Sequence, residues 1–142
     1  MAISCQSVSI DPMDEPSATV RVMIADDSTP IRERLAALLW EIPGVEVVAE
    51  TSDVRATIDG VLTLMPDIVL LDINMPGGTG FDVLEQIQNQ GLSTVAIVIT
   101  THEESEYENR ARASGAAAFF NKSRDFIAAA EFVRNFTQRE HQ

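Results

Sequence analysis

Five side chains in this sequence have the types and positions to handle a phosphoryl group: Asp26, Asp27, Asp72, Thr100 and Lys122. Each sits at, or within two residues of, the end of a short β-branched run. VRVMIA ends at Ala25 and leads into Asp26 and Asp27, DIVLL ends at Leu71 before Asp72, TVAIVIT ends on Thr100, and AAFF ends at Phe120, two residues before Lys122. In an open parallel sheet, ligands bind at the carboxyl ends of strands, where the strand order reverses, so these groups are expected to meet at one edge. Three carboxylates gathered there repel one another, and without compensation at least one keeps its proton. A cation is therefore implied. Hard oxygen ligands suit Mg²⁺, or Mn²⁺ by the same preference, often held by one or two carboxylates together with phosphate oxygens. Lys122 adds a second positive charge and Thr100 a hydroxyl donor. In that setting a carboxylate such as Asp72 is a competent nucleophile toward phosphorus, with positioning and electrostatics contributing most of the catalysis.

The elements that would position these groups follow from hydrophobic periodicity. The fifth strand-like run is VEVVAE, ending at Glu50, and four of the five runs are apolar on both faces or nearly so, as strands covered by helices on both sides are. Amphipathic segments alternate with them. Ile31, Leu35, Leu38 and Leu39 mark the apolar face of a first helix, and Ile58, Val61 and Leu62 that of a second, with Pro43–Gly44 and Met65–Pro66 near their ends. Phe81, Leu84 and Ile87 give a third helix closed near Gly91, Tyr107 and Ala111 a weak fourth, and Phe126, Ala130, Val133 and Phe136 a fifth. Alternating β and α segments predict an α/β fold, a parallel sheet with crossover helices. Residues 1–19, rich in Ser, Pro, Asp and Met, are expected to be a flexible extension, and residues 20–142 one domain with no room for a second.

Composition narrows the function classes. The chain has 142 residues, is 45% hydrophobic and carries a formal charge of −12, so one packed core is expected and direct nucleic-acid binding is disfavoured by the overall field. Cys5 is the only cysteine, which excludes an internal disulfide and makes a thiolate zinc site implausible. The stretch before Arg21 has neither a basic start nor a long apolar run, and later apolar runs are far too short to span a bilayer. A cytoplasmic protein without membrane insertion is the expectation.

In IADDSTPIRERL, PDIVLLDINMPGGTGFDVL, AIVITTH and AAAFFNKS, taken in this order and spacing, the chain resembles response-regulator receiver domains from about Val20 to about Thr137. The resemblance implies the flavodoxin-like doubly wound fold, five parallel strands in the order 2-1-3-4-5 with five helices. It implies a phosphoacceptor at Asp72 and a metal held by Asp27, Asp72 and the backbone carbonyl of Asn74, with Asp26 acting mainly through a metal-bound water. Thr100 and Lys122 would contact phosphoryl oxygens, and Phe119 would be the switch residue that turns inward when Thr100 moves. The implied donor is a histidine kinase or phosphotransfer protein. The implied output is a phosphorylation-induced change in the surface of the fourth helix, fifth strand and fifth helix, read by a downstream protein target in a two-component system or phosphorelay; a homodimer is left open. Such a domain is a signalling domain that catalyses only its own phosphorylation and dephosphorylation. Two positions depart from the family's common pattern: Ser123 stands where many receivers have a Pro after a cis peptide bond, and Thr101 where Ala or Gly is frequent. Asn74 and His102 fill the two variable positions that, in this family, influence phosphoryl lifetime.

Each of these residues also has a plainer reading. Singly, a strand-terminal Asp serves equally well as a helix N-cap or a loop solubiliser; the three together with Thr100 and Lys122 do not. His102 is expected to be a solvated loop residue, Trp40 and Phe132 packing residues, and the charges from Glu103 to Glu108 a wet helix face. The alternative of a phosphorylation-independent protein-interaction module on the same fold would normally have lost a charged pocket residue, and none is lost. A flavin-binding protein would offer hydroxyls and amides in its first loop rather than two aspartates, and an independent phosphatase would need a separate acid or base.

Overall fold

The computed structural model describes residues 19–101 and 105–140. Its centre is a sheet of five parallel strands: β1 (Val20–Ala25), β2 (Val45–Thr51), β3 (Ile68–Leu71), β4 (Val95–Thr100) and β5 (Ala118–Asn121). They lie in the order β2-β1-β3-β4-β5, the flavodoxin-like arrangement expected from the sequence. All four residues of β3 are buried, because the strand is paired on both edges and covered on both faces. β2 differs: it is an edge strand, with Glu46 and Glu50 exposed and a register irregularity opposite Val22 and Met23, both of which discourage further pairing.

Side chains alternate along each strand, and the two faces feed two cores. Val22, Ile24, Leu70 and Ile97 face α1 (Thr29–Trp40) and α5 (Phe126–Glu140). Met23, Val69, Leu71 and Val98 face α2 (Val54–Leu64), α3 (Gly80–Asn89) and α4 (Ser105–Ala113). Local signals start the helices: the Ser28 hydroxyl accepts from the Ile31 amide with Pro30 in the first turn of α1, and the Asp53 carboxylate accepts from the Ala56 amide at 2.7 Å ahead of α2. Ahead of α3, a two-residue antiparallel ribbon pairs Asn74–Met75 with Gly78–Thr79, and the Asp82 carboxylate accepts from the Thr79 amide at 3.0 Å. No helix among the described residues is long and apolar enough to cross a membrane.

Two expected packing residues fall elsewhere. Trp40 is 82% exposed, because it lies on the outward side of the last turn of α1, while Leu39 before it and Ile42 after it are buried. Leu62 is also exposed, while Val54 and Thr57 are buried with Val61, so the inner stripe of α2 begins a turn earlier than the apolar residues alone indicate. Thr57 is tolerated inside because its hydroxyl donates to the Asp53 carbonyl and meets the Thr51 hydroxyl at 2.7 Å. Phe132 does pack, edge-on to Phe120 with ring centroids 6.2 Å apart. β5 extends one residue further than expected, through Asn121.

Candidate functional site

The order of the sheet reverses between β1 and β3, and the carboxyl ends of these two strands carry the acidic residues. Backbone pairing fixes both: the Asp72 amide donates to the Ala25 carbonyl at 2.9 Å, and the Asp26 amide to the Thr51 carbonyl at 3.0 Å. Carboxylate oxygens of Asp26, Asp27 and Asp72 all lie within 4.8 Å of one another, with Asp26 and Asp72 buried and Asp27 exposed at the mouth. Lys122 closes the inner side. Its ammonium meets Asp26 Oδ2 at 2.8 Å and Asp72 Oδ2 at 2.9 Å. None of the three aspartates caps a helix, since the caps of α1, α2 and α3 are Ser28, Asp53 and Thr79.

The remaining lone pairs are partly engaged. Asp26 Oδ1 accepts from the Ser28 amide at 2.8 Å, and Asp72 Oδ1 has a longer contact with the Asn74 amide at 3.3 Å. The floor under Asp72 is set by Gly80, whose amide donates to the Ile73 carbonyl at 2.7 Å; a Cβ at Gly80 would lie 2.5 Å from the Asp72 carbonyl oxygen. Thr100 is fully buried at the end of β4, and its carbonyl accepts from the Lys122 amide at 2.9 Å, tying the β5 end to β4. Phe119 is half-buried and packs against the core on the α2, α3 and α4 side. Asn121 holds the loop that presents Lys122: its side-chain oxygen accepts from the amides of Ser123 and Arg124. The Lys122–Ser123 peptide bond is trans, as are all the others described. His102 lies outside the described residues.

Burial pushes the Asp72 carboxyl above the ordinary aspartate value; the hydrogen bond from Lys122 opposes this, and the neighbouring Asp26 charge adds to it. Burial alone would lower Lys122, but its hydrogen bonds to Asp26 and Asp72 outweigh that and raise it, so it stays an ammonium at neutral pH. Three carboxylates facing one ammonium leave a deficit of about two positive charges in a poorly solvated corner. An all-oxygen donor set with that deficit fits a hard divalent cation.

One residue near the site was not singled out from sequence. Arg32, on α1, donates to the Asp26 carbonyl at 2.6 Å, to the Thr29 hydroxyl at 3.1 Å, and lies 3.4 Å from Glu50. Its spacing, one turn after the Ser28 cap, was the available signal, but sequence alone does not show that β2 brings Glu50 alongside.

The family model described as the response regulator receiver domain matches residues 22–133. The chain belongs to the response-regulator receiver family. Among curated relatives, this receiver domain is 35% identical over 120 residues to the nitrate/nitrite response regulator protein NarP of Escherichia coli K12, covering 84% of the chain and 56% of that protein. It is 34% identical over 103 residues to a protein-glutamate methylesterase/protein-glutamine glutaminase of Xanthomonas campestris, covering 72% of the chain but 29% of that enzyme. The chain thus spans about half, or less, of the length of these relatives. Among solved structures, the signal receiver domain of the NarL response regulator from Mycobacterium tuberculosis superposes with a TM-score of 0.79 at 30% identity, over 84% of this chain and 97% of that one. Like the relatives, it is a two-component response-regulator receiver, and phosphorylation in signal transduction is implied by the family.

Proposed function

We propose that this receiver domain accepts a phosphoryl group on Asp72 from a histidine kinase or phosphotransfer protein, in a reaction that depends on Mg²⁺. The observation that carries the reading is the buried Asp72 carboxylate, held by Lys122 at 2.9 Å beside two further carboxylates. One Asp72 oxygen forms the new bond to phosphorus while the bond from phosphorus to the donor's nitrogen or oxygen breaks and the leaving group takes up a proton. Asp26, Asp27 and Asp72, with the Asn74 carbonyl, would hold the metal, which when bound neutralises the carboxylates and the phosphoryl oxygens. Lys122 and Thr100 bind the phosphoryl oxygens, a reading supported by the Lys122 ammonium lying 2.9 Å from Asp72 Oδ2, next to the charge an acyl phosphate would add.

Phosphorylation then favours a conformer in which Thr100 is drawn toward Asp72 and Phe119 turns inward, changing the surface formed by α4, β5 and α5. The half-buried position of Phe119 against the α2, α3 and α4 core leaves part of its ring still to be buried by such a turn. A downstream protein target reads the changed surface, and the cytoplasm is the compartment in which such a kinase and its partner meet. The test is incorporation of phosphate from acetyl phosphate with and without Mg²⁺, in the wild type and in Asp72→Asn. Metal-dependent labelling that vanishes in the variant is expected. Absence of labelling in the wild type would instead favour a phosphorylation-independent interaction module.

A further inference from the structure

The acidic loop after β1 carries two of the three carboxylates, and its backbone at Asp26 is held on one side by the edge strand β2 and on the other by Arg32 of α1. The Asp26 amide donates to the carbonyl of Thr51 at 3.0 Å. The Asp26 carbonyl, on the other side of the residue, accepts from the Arg32 guanidinium at 2.6 Å, and the same guanidinium faces the carboxylate of Glu50, the neighbour of Thr51, at 3.4 Å. A further bond to the Thr29 hydroxyl at 3.1 Å ties it to the first turn of α1. The Arg32 side chain is 16% exposed and its bond to the Asp26 carbonyl is partly buried, so this contact is partly shielded from water and salt, whereas the Glu50 side chain is 40% exposed. A guanidinium is suited to this because its planar fork offers several donors in fixed directions, where an ammonium is a point charge on a flexible stem.

We propose that Arg32 is a positioning residue for the divalent metal: it fixes the backbone at Asp26, and with it the directions of the Asp26 and Asp27 carboxylates, through a strut that ends on Glu50 of β2. The inference rests on the reading of Asp26, Asp27 and Asp72 as a metal site and adds to it a residue that touches neither metal nor phosphate. Its electrostatic sign makes it testable. Arg32 is a cation beside a site that must attract a cation, so by charge alone its removal would tighten metal binding. By positioning, its removal loosens the loop and weakens binding, as loss of the groups that orient metal ligands generally does.

The experiment is calorimetric titration of the full chain with Mg²⁺ alone, for the wild type, Arg32→Met, Arg32→Lys and Glu50→Gln, with thermal unfolding of each metal-free protein alongside. Arg32→Met is expected to bind Mg²⁺ about tenfold more weakly. Arg32→Lys should resemble Arg32→Met rather than the wild type, and Glu50→Gln should weaken binding in the same direction by less. In acetyl phosphate labelling, the Mg²⁺ concentration for half-maximal rate should rise in Arg32→Met while the rate at saturating Mg²⁺ returns to that of the wild type. Unchanged or tighter binding by Arg32→Met, or wild-type binding by Arg32→Lys, would overturn the proposal. If Arg32→Met does not fold, the charge-conserving Arg32→Lys decides, because loss of the Glu50 carboxylate would weaken cation binding by charge alone; unchanged affinity in Glu50→Gln overturns the proposal as well. A wild-type protein that binds no Mg²⁺ refutes the underlying metal reading, a failure visible before any variant is compared.

Discussion

α3 and α4 pack on the same face of the sheet and have nearly equal lengths, yet they are held in opposite ways. α3 buries Gly80, Phe81, Val83, Leu84 and Ile87 and begins under the acceptor, with the Gly80 amide bonded to the Ile73 carbonyl. Among the described side chains of α4, Ala111 alone is buried. Much of what stabilises α4 is local: Glu106 and Glu108 near its start, Arg110 and Arg112 near its end, and the Arg112–Glu108 pair at 3.0 Å. Its aromatic attachment is to a residue of α3, for Tyr107 stacks on Phe81 with centroids 6.4 Å apart and the Arg110 guanidinium lies 3.9 Å from the Phe81 ring centre. An element with few buried apolar contacts opens at low free-energy cost, and moving parts are drawn from such elements. On that ground the more rigid element is expected under Asp72 and the more mobile one on the face proposed to signal.

The largest effect is expected at the residue both helices share. Phe81→Ala removes a buried ring from the core and the platform for Tyr107 and Arg110, so it should cost about 3–5 kcal/mol of global stability in denaturant unfolding. Hydrogen exchange on the same variant should rise more in α4 than in α3; an equal rise in both would erase the contrast between them. A smaller loss is expected for Gly80→Ala, whose methyl would press on the Asp72 carbonyl oxygen: about 1–3 kcal/mol, the usual range for overpacking, together with slower labelling from acetyl phosphate. Stability lost without slower labelling would mean that the start of α3 does not hold the acceptor. Arg110→Ala should have the least effect, about 0.5–1 kcal/mol, read as roughly two- to fivefold faster amide exchange confined to α4. If that acceleration spread into α3, the two helices would form a single cooperative unit.

The same contrast explains what was legible beforehand. α3 announced itself through Phe81, Leu84 and Ile87 at helical spacing, and these are residues it buries. α4 gave only Tyr107 and Ala111 as apolar signals, and the helix there is correspondingly lightly packed. Trp40 and Leu62 were misplaced for a common reason: residue type reports a tendency to be buried, whereas burial depends on how a helix is rotated against the sheet. In the pocket, residue type and position at strand ends sufficed to single out Asp26, Asp27, Asp72, Thr100 and Lys122.

By itself, then, the sequence determined the alternation of strands and helices, the strand ends on which charge accumulates and the family to which they belong, because periodicity and strand-terminal polar residues are local properties of the chain. Only the tertiary structure decided that Lys122 spans Asp26 and Asp72, that Arg32 reaches back to the Asp26 carbonyl while facing Glu50, and that Phe81 carries α4. Each of these contacts joins segments whose proximity is set by strand order and helix rotation, and long side chains such as Lys and Arg take their direction from the partners that packing brings within reach.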